Sequence, residues 1–189
     1  LSSKQSLIRG ARIVTCDPSL PEETIVHLLN LCGESVPVYV DPVSTAYARV
    51  LAPHIGRFHT AKPNVMELEI LSGRKITDET SLEAAGQAVL DKGLHRLFVS
   101  LGKDGCLYMD REGTVMRRKL RPIEQMCNAT GAGDAFMAAV IYSTLHGFTI
   151  EQTLDYGLAA GIAAISHEKT INPDMSVSLV ESILKEYQL

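Results

Sequence analysis

TGAGDAFMAAVIYSTL, residues 130–145, sets a threonine, two glycines and an aspartate ahead of an uncharged apolar run. The run from Ala135 is rich in good helix formers, so Gly131-Ala132-Gly133-Asp134 reads as the opening of a buried helix near 132–146. The first N–H groups of a helix have no internal partners and sit at the positive end of its dipole. Residues without bulk there let an anion approach the bare amides, the physics of phosphate sites at helix N-termini. Asp134 then stands beside any anion held there. Aspartate is equally at home as a capping or first-turn acid, so the string alone leaves two readings, cap and catalyst.

Outward from that helix, the chain alternates strand-like and helix-like segments. ARIVTC (11–16), VPVYVD (36–41), RFHTAK (57–62) and HRLFVSLG (95–102) read as short buried strands. Between them, helices are expected over 21–32, 44–52, from Asn64 to Leu71 with a stop at Gly73, and over 81–93 with a glycine terminator. GCLYMD and GTVMRRKL form a hairpin joined through Asp110 to Gly113. Helices over 132–146, 150–166 and 175–187 finish the chain, with Pro173-Asp174 as turn and cap before the last. The alternation predicts one α/β unit over residues 1–189, a mostly parallel sheet covered by helices on both faces, with a small antiparallel insertion. Such sheets bind ligands at the carboxyl ends of their strands, which selects the loops after Asp41, Lys62 and Ser100 and the turn at 128–134. Asp41 either faces that crevice or simply ends a strand.

Bulk properties narrow the function class. The chain has 189 residues, 46% hydrophobic and 21% charged, as expected for a globular domain with a sizeable core. A net charge of −4 offers no basic face for nucleic acid, and Arg117-Arg118-Lys119-Arg121 reads as a solvated strand end. No apolar run reaches the length of a membrane span and no signal peptide is visible. The four cysteines, Cys16, Cys32, Cys106 and Cys127, form no CxxC pair and read as reduced core residues, which suits the cytoplasm. The histidines show no zinc spacing such as HExxH.

Thr130 to Asp134 is not a Walker loop, because the lysine and following Ser/Thr are absent. Nor is it a dinucleotide fingerprint, because the third glycine is missing and MCNAT makes a poor preceding strand, which disfavours an NAD-dependent oxidoreductase. Two further stretches carry candidate chemistry. In Lys62-Pro63-Asn64-Val65-Met66-Glu67, Asn64 and Glu67 stand three apart at a helix start, the spacing of a capping box. In Ser100-Leu101-Gly102-Lys103-Asp104-Gly105, a strand gives way to a turn with two glycines, a weak pattern by itself. Lys103 reads as an exposed turn lysine.

In this order, KPNxxE, SLGxxG and TGAGD resemble the motifs of the ribokinase-like (PfkB) carbohydrate and nucleoside kinases, over nearly the whole chain. The resemblance implies a three-layer αβα fold and transfer of the ATP γ-phosphate to an alcohol. It implies that Asp134 takes the hydroxyl proton while the amides of Gly131, Ala132 and Gly133 form an anion hole. It implies that Asn64 and Glu67 organise Mg2+ through water, and that Ser100, Gly102, Gly105 and Thr130 line ATP. Phosphoryl transfer relies on positioning and charge stabilisation more than on a strong base, which agrees with an aspartate at a helix start. The family often has Asp where Asn128 stands, beside a monovalent-cation site, so K+ activation is an open expectation.

Local wording, VYVDPVSTA (38–46), FHTAKPNVMELEILSG (58–73), CNATGAGDA and EKTINPDMS (168–176), is similar to the pseudouridine kinase branch. That implies the 5′-hydroxyl of pseudouridine as acceptor, with ribose or another sugar as the alternative, or nucleotide binding without turnover. The family has a further N-terminal portion with the first strands, the substrate lid and most sugar contacts. The chain is therefore expected to be the nucleotide-binding and catalytic C-terminal part. An uncovered sheet edge would favour association with a second copy, leaving a homo-oligomer open.

Overall fold

A computed structural model describes residues 1–121, 130–169 and 171–189. Asn128 and Cys127, singled out above, lie outside the described residues. The chain divides into two compact units, Leu1–Ser100 with Leu107–Val115, and Leu101–Cys106 with Met116–Leu189.

The first unit is built on parallel strands β1 (Val14–Cys16), β2 (Val38–Val40), β3 (Thr60–Ala61) and β4 (Arg96–Ser100), paired in that order. β5 (Cys106–Asp110) and β6 (Val115–Arg118) complete a sheet of six strands in sequence order. Val38, Tyr39 and Val40 are all buried, as are Leu97, Phe98 and Val99, because helices cover both faces of a parallel sheet and remove any polar alternation. Asp110 closes the hairpin: its Oδ1 accepts from Thr114 N at 2.8 Å and its Oδ2 from Tyr108 Oη at 2.9 Å.

Helices α1 (Gln5–Arg9), α2 (Glu22–Cys32), α3 (Thr45–Leu51), α4 (Val65–Ser72) and α5 (Glu79–Leu90) belong to this unit. Several boundaries differ from the sequence reading, among them β3, expected over 57–62 and confined to Thr60–Ala61. The strand expected over 11–16 is confined to Val14–Cys16, and α1 precedes it as a short helix that buries nothing. α5 begins at Glu79 rather than 81, because Asp78 and Ser81 form a reciprocal cap, and it ends at Leu90, before Gly93.

The second unit carries α6 (Ala132–His146), α7 (Ile150–Ile165) and α8 (Val177–Tyr187). α6 and α7 approach closely at Gly157, where a Cβ would lie 2.7 Å from the Phe136 ring. Alanines 159, 160 and 163 with Ile162, Val180 and Ile183 form the α7–α8 core. The cap of α8 is Ser176, whose Oγ accepts from Leu179 N, and not Asp174, so the helix starts two residues later than expected. Arg118 corrects the solvated reading of the basic cluster. It is half-buried and paired with Glu151 and with Asp155, Nε to Oδ1 at 2.8 Å. Among the described residues no helix is long and apolar enough to cross a membrane.

Candidate active site

In the first unit a polar cluster collects where the parallel strands end. Asp41 follows β2, Lys62 follows β3, and Ser100 closes β4. The main chain ties these ends together: Lys62 N donates to Val40 O at 3.0 Å, Ser100 N to Pro63 O at 3.0 Å, and Asn64 bridges Ser100 in parallel register. Asn64 and Ser100 are thus neighbours. The Ser100 hydroxyl is only weakly engaged, 3.5 Å from Pro63 O.

Asn64 and Glu67 form the capping box of α4. Asn64 Oδ1 accepts from Glu67 N and Glu67 Oε2 accepts from Asn64 N, both at 2.9 Å. The box locks the Glu67 rotamer through Oε2, in a residue only 3% exposed. Burial raises the Glu67 carboxyl above its ordinary value; the Asn64 amide counteracts this, Asp41 adds to it and Lys62 opposes it. A buried carboxylate held in one rotamer suits a cation. Among the described residues no group of three His, Cys, Asp or Glu could hold a metal alone. Mg2+ binds through one or two carboxylates plus water and phosphate.

Lys62 is the site feature that sequence reasoning missed. It is 3% exposed, and its Nζ meets Asp41 Oδ2 at 2.9 Å. The available signal was a lysine at the end of an otherwise apolar strand, since lysine is almost never fully buried unpaired. Asp41 also fixes its own loop, its Oδ1 accepting from Val43 N at 3.1 Å, with Val43 at φ 61°. A β-branched residue seldom adopts that conformation, so the loop after β2 stores strain beside the cluster.

In the second unit, Gly102–Asp104 make one 3-10 turn, closed by Leu101 N donating to Gly105 O at 2.9 Å. Among the described residues nothing lies within 4 Å of where a Gly102 side chain would stand. Gly105 has a structural task. Its φ is +92°, and a Cβ would lie 1.9 Å from Arg118 O. Gly105→Ala is expected to lower stability by about 2–4 kcal/mol, read from urea unfolding. An unchanged midpoint would show that the close approach is not obligatory.

Gly131 is the N-cap of α6, at φ 91° and ψ −11°, a left-handed conformation open mainly to glycine. Asp134 falls in the first turn, exposed, and its carboxylate has no partner among the described residues. Nor do the main-chain N–H groups of Gly131, Ala132 and Gly133 donate to any described residue; Ala135 N donates to Gly131 O at 3.0 Å. The capping reading of Asp134 therefore finds no hydrogen bond to support it. Thr130 is exposed just ahead of this turn.

The profile of the pfkB family carbohydrate kinases matches residues 3–176. The pseudouridine kinase of Escherichia coli K12 is 31% identical over 186 residues, covering 98% of this chain and 58% of that protein. A Clostridium perfringens protein provisionally described as a sugar kinase superposes with a TM-score of 0.90 at 33% identity, over 99% of this chain and 57% of that one. Arabidopsis thaliana ribokinase superposes with a TM-score of 0.82 at 21% identity, over 100% of this chain and 60% of that one, which establishes a ribokinase-like α/β fold. The chain thus spans somewhat more than half the length of these relatives. With a profile match over most of its residues and this level of identity, the chain belongs to the pfkB family of carbohydrate kinases.

Proposed function

We propose that residues 1–189 belong to one ribokinase-like kinase domain that moves the γ-phosphate of ATP to the primary hydroxyl of a nucleoside or sugar. The proposed acceptor is the 5′-hydroxyl of pseudouridine, supported by the 31% identity to a pseudouridine kinase. One observation carries the reading: an exposed, unpartnered Asp134 sits in a helix first turn whose opening amides are unengaged among the described residues. Asp134 takes the proton of the acceptor hydroxyl, and the amides of Gly131, Ala132 and Gly133 receive the charge that builds on the migrating phosphoryl group. Asn64, Ser100, Gly102, Gly105 and Thr130 are the residues proposed to line the nucleotide. Mg2+, when bound, neutralises phosphate charge, and Glu67 with Asn64 orders its water shell. A monovalent cation, K+, at Asn128 is the remaining part of the proposal. Cys16, Cys32 and Cys106 are free and buried, which fits work in a reducing cytoplasm.

The test is transfer of label from radiolabelled ATP over a panel of nucleosides and sugars. Label in pseudouridine is expected. Label only in another sugar would move the acceptor while keeping the reaction, and bound nucleotide without any transfer would reduce the chain to a binding module.

Glu67→Gln separates cap from metal function. Glutamine serves equally in a capping box, so α4 stays capped, and the Mg2+ requirement is expected to rise about tenfold. Because the carboxyl is raised in the folded protein, the folded state holds this proton more tightly than the unfolded one. Its contribution favours folding at low pH and is lost as pH climbs from the ordinary to the raised value. The variant therefore loses no stability at neutral pH from the missing charge. In the wild type the Mg2+ requirement grows on acidification as Glu67 takes up its proton, and in the variant this pH dependence flattens. An unchanged requirement would leave Glu67 as a cap alone.

A further inference from the structure

The first unit has a second concave feature, at the other edge of its parallel strands. Asp41, Lys62 and Ser100 stand at the carboxyl ends of β2, β3 and β4, whereas Pro37, His59 and His95 immediately precede the same strands. A cavity of about 800 Å³ lies at this amino edge, within the size range of small-molecule sites.

Its charge is out of keeping with the chain. The protein carries a net −4, yet the charged lining is Arg57 and Arg111 against one exposed acid, Glu34. Neither guanidinium is spent on a carboxylate among the described residues. Arg57 Nη2 donates to Asn30 Oδ1 at 2.6 Å, and Arg111 Nη1 lies 2.9 Å from His95 Nε2, a contact in which arginine can only donate. Arg111 N also donates to His95 O at 3.0 Å, so its backbone is fixed as well. Both arginines are exposed and keep most of their donors.

The wall behind them is rigid. Tyr39, His59 and His95 stack as a column, with centroids 5.6 Å and 5.0 Å apart and ring planes within 6° and 16°. Burial, aided by His95 and Arg96, pushes His59 down to about 4, so at neutral pH it is an uncharged ring within a cationic surround.

From these features we infer that the amino-edge cavity binds a phosphorylated small molecule whose phosphate is clasped by Arg57 and Arg111. Guanidinium forks match phosphate oxygens bidentately, and two uncompensated charges suit a doubly charged phosphate better than a single carboxylate. The inference is independent of the kinase reading, because it concerns the other edge of the strands.

The 189-residue chain is titrated with sodium pyrophosphate at constant ionic strength while the imidazole resonances of His59 and His95 are followed by NMR. Saturable shifts at millimolar or lower pyrophosphate are expected, weakened about tenfold in Arg57→Met and in Arg111→Met. Arg57→Met is the cleaner variant, since Arg111 touches one of the reporters. Inorganic phosphate saturating at the same concentration would support a site for one phosphate group, and tighter pyrophosphate binding a site for a longer phosphorylated ligand. Absence of saturable shifts, or shifts that survive both arginine variants unchanged, overturns the inference.

Discussion

Asp134→Asn is expected to lower phosphoryl transfer by about 10²- to 10⁴-fold, the usual contribution of a positioned general base. The substitution is nearly isosteric and removes only the proton-accepting charge. Because the side chain is exposed and has no hydrogen-bond partner among the described residues, little structure depends on it. The one stabilising term at risk is its interaction with the α6 dipole, about 0.3–1 kcal/mol. Nucleotide affinity and the unfolding midpoint should therefore stay near wild type while turnover collapses. That split is the diagnostic, since a structural role would move stability first. If turnover survives intact, the carboxylate is a first-turn acid and the anion-hole amides act without it.

Lys62→Met is expected to cost about 3 kcal/mol of folding free energy, the lower end of the range for breaking a buried ion pair. The lower end applies because the Lys62 side chain is 4% exposed but that of Asp41 is 15%. Methionine keeps most of the aliphatic volume, so the loss is that of an unpaired Asp41 and not of a cavity. Against a typical total of about 5–15 kcal/mol, the shift in a urea transition is large. Adding Asp41→Asn to Lys62→Met should recover much of it, because the stranded charge is then gone. A loss below about 1 kcal/mol would mean the pair behaves as a solvated surface contact. The variant also reaches Glu67. Asp41 raises the Glu67 carboxyl and Lys62 opposes it, so removing the lysine should raise it more and increase the Mg2+ requirement.

Where the sequence read well, the governing interactions were short-range. The capping box of α4 spans Asn64 to Glu67 and rests on two hydrogen bonds within four residues. Gly131 opening α6 is equally local. The buried strands announced themselves as unbroken apolar runs, as at Val38–Val40. Errors gathered where local signals competed. Asp174 and Ser176 both suit a cap, and Ser176 prevails in the structure. Asp78 capped α5 earlier than the apolar pattern began, and α1 is too short to show a period.

The sequence by itself determined the order of strands and helices, the glycine-led opening of α6 and the family motifs at Asn64, Ser100 and Asp134, because caps, turns and periodicity are written within a few neighbouring residues. Only the tertiary structure decided the rest. It paired Lys62 with Asp41 and Arg118 with Asp155, set Gly105 against the Arg118 carbonyl, and stacked Tyr39, His59 and His95 behind a cationic cavity. Those contacts join residues 13 to 37 positions apart, and their partners are fixed by strand register and helix packing, which no local pattern encodes.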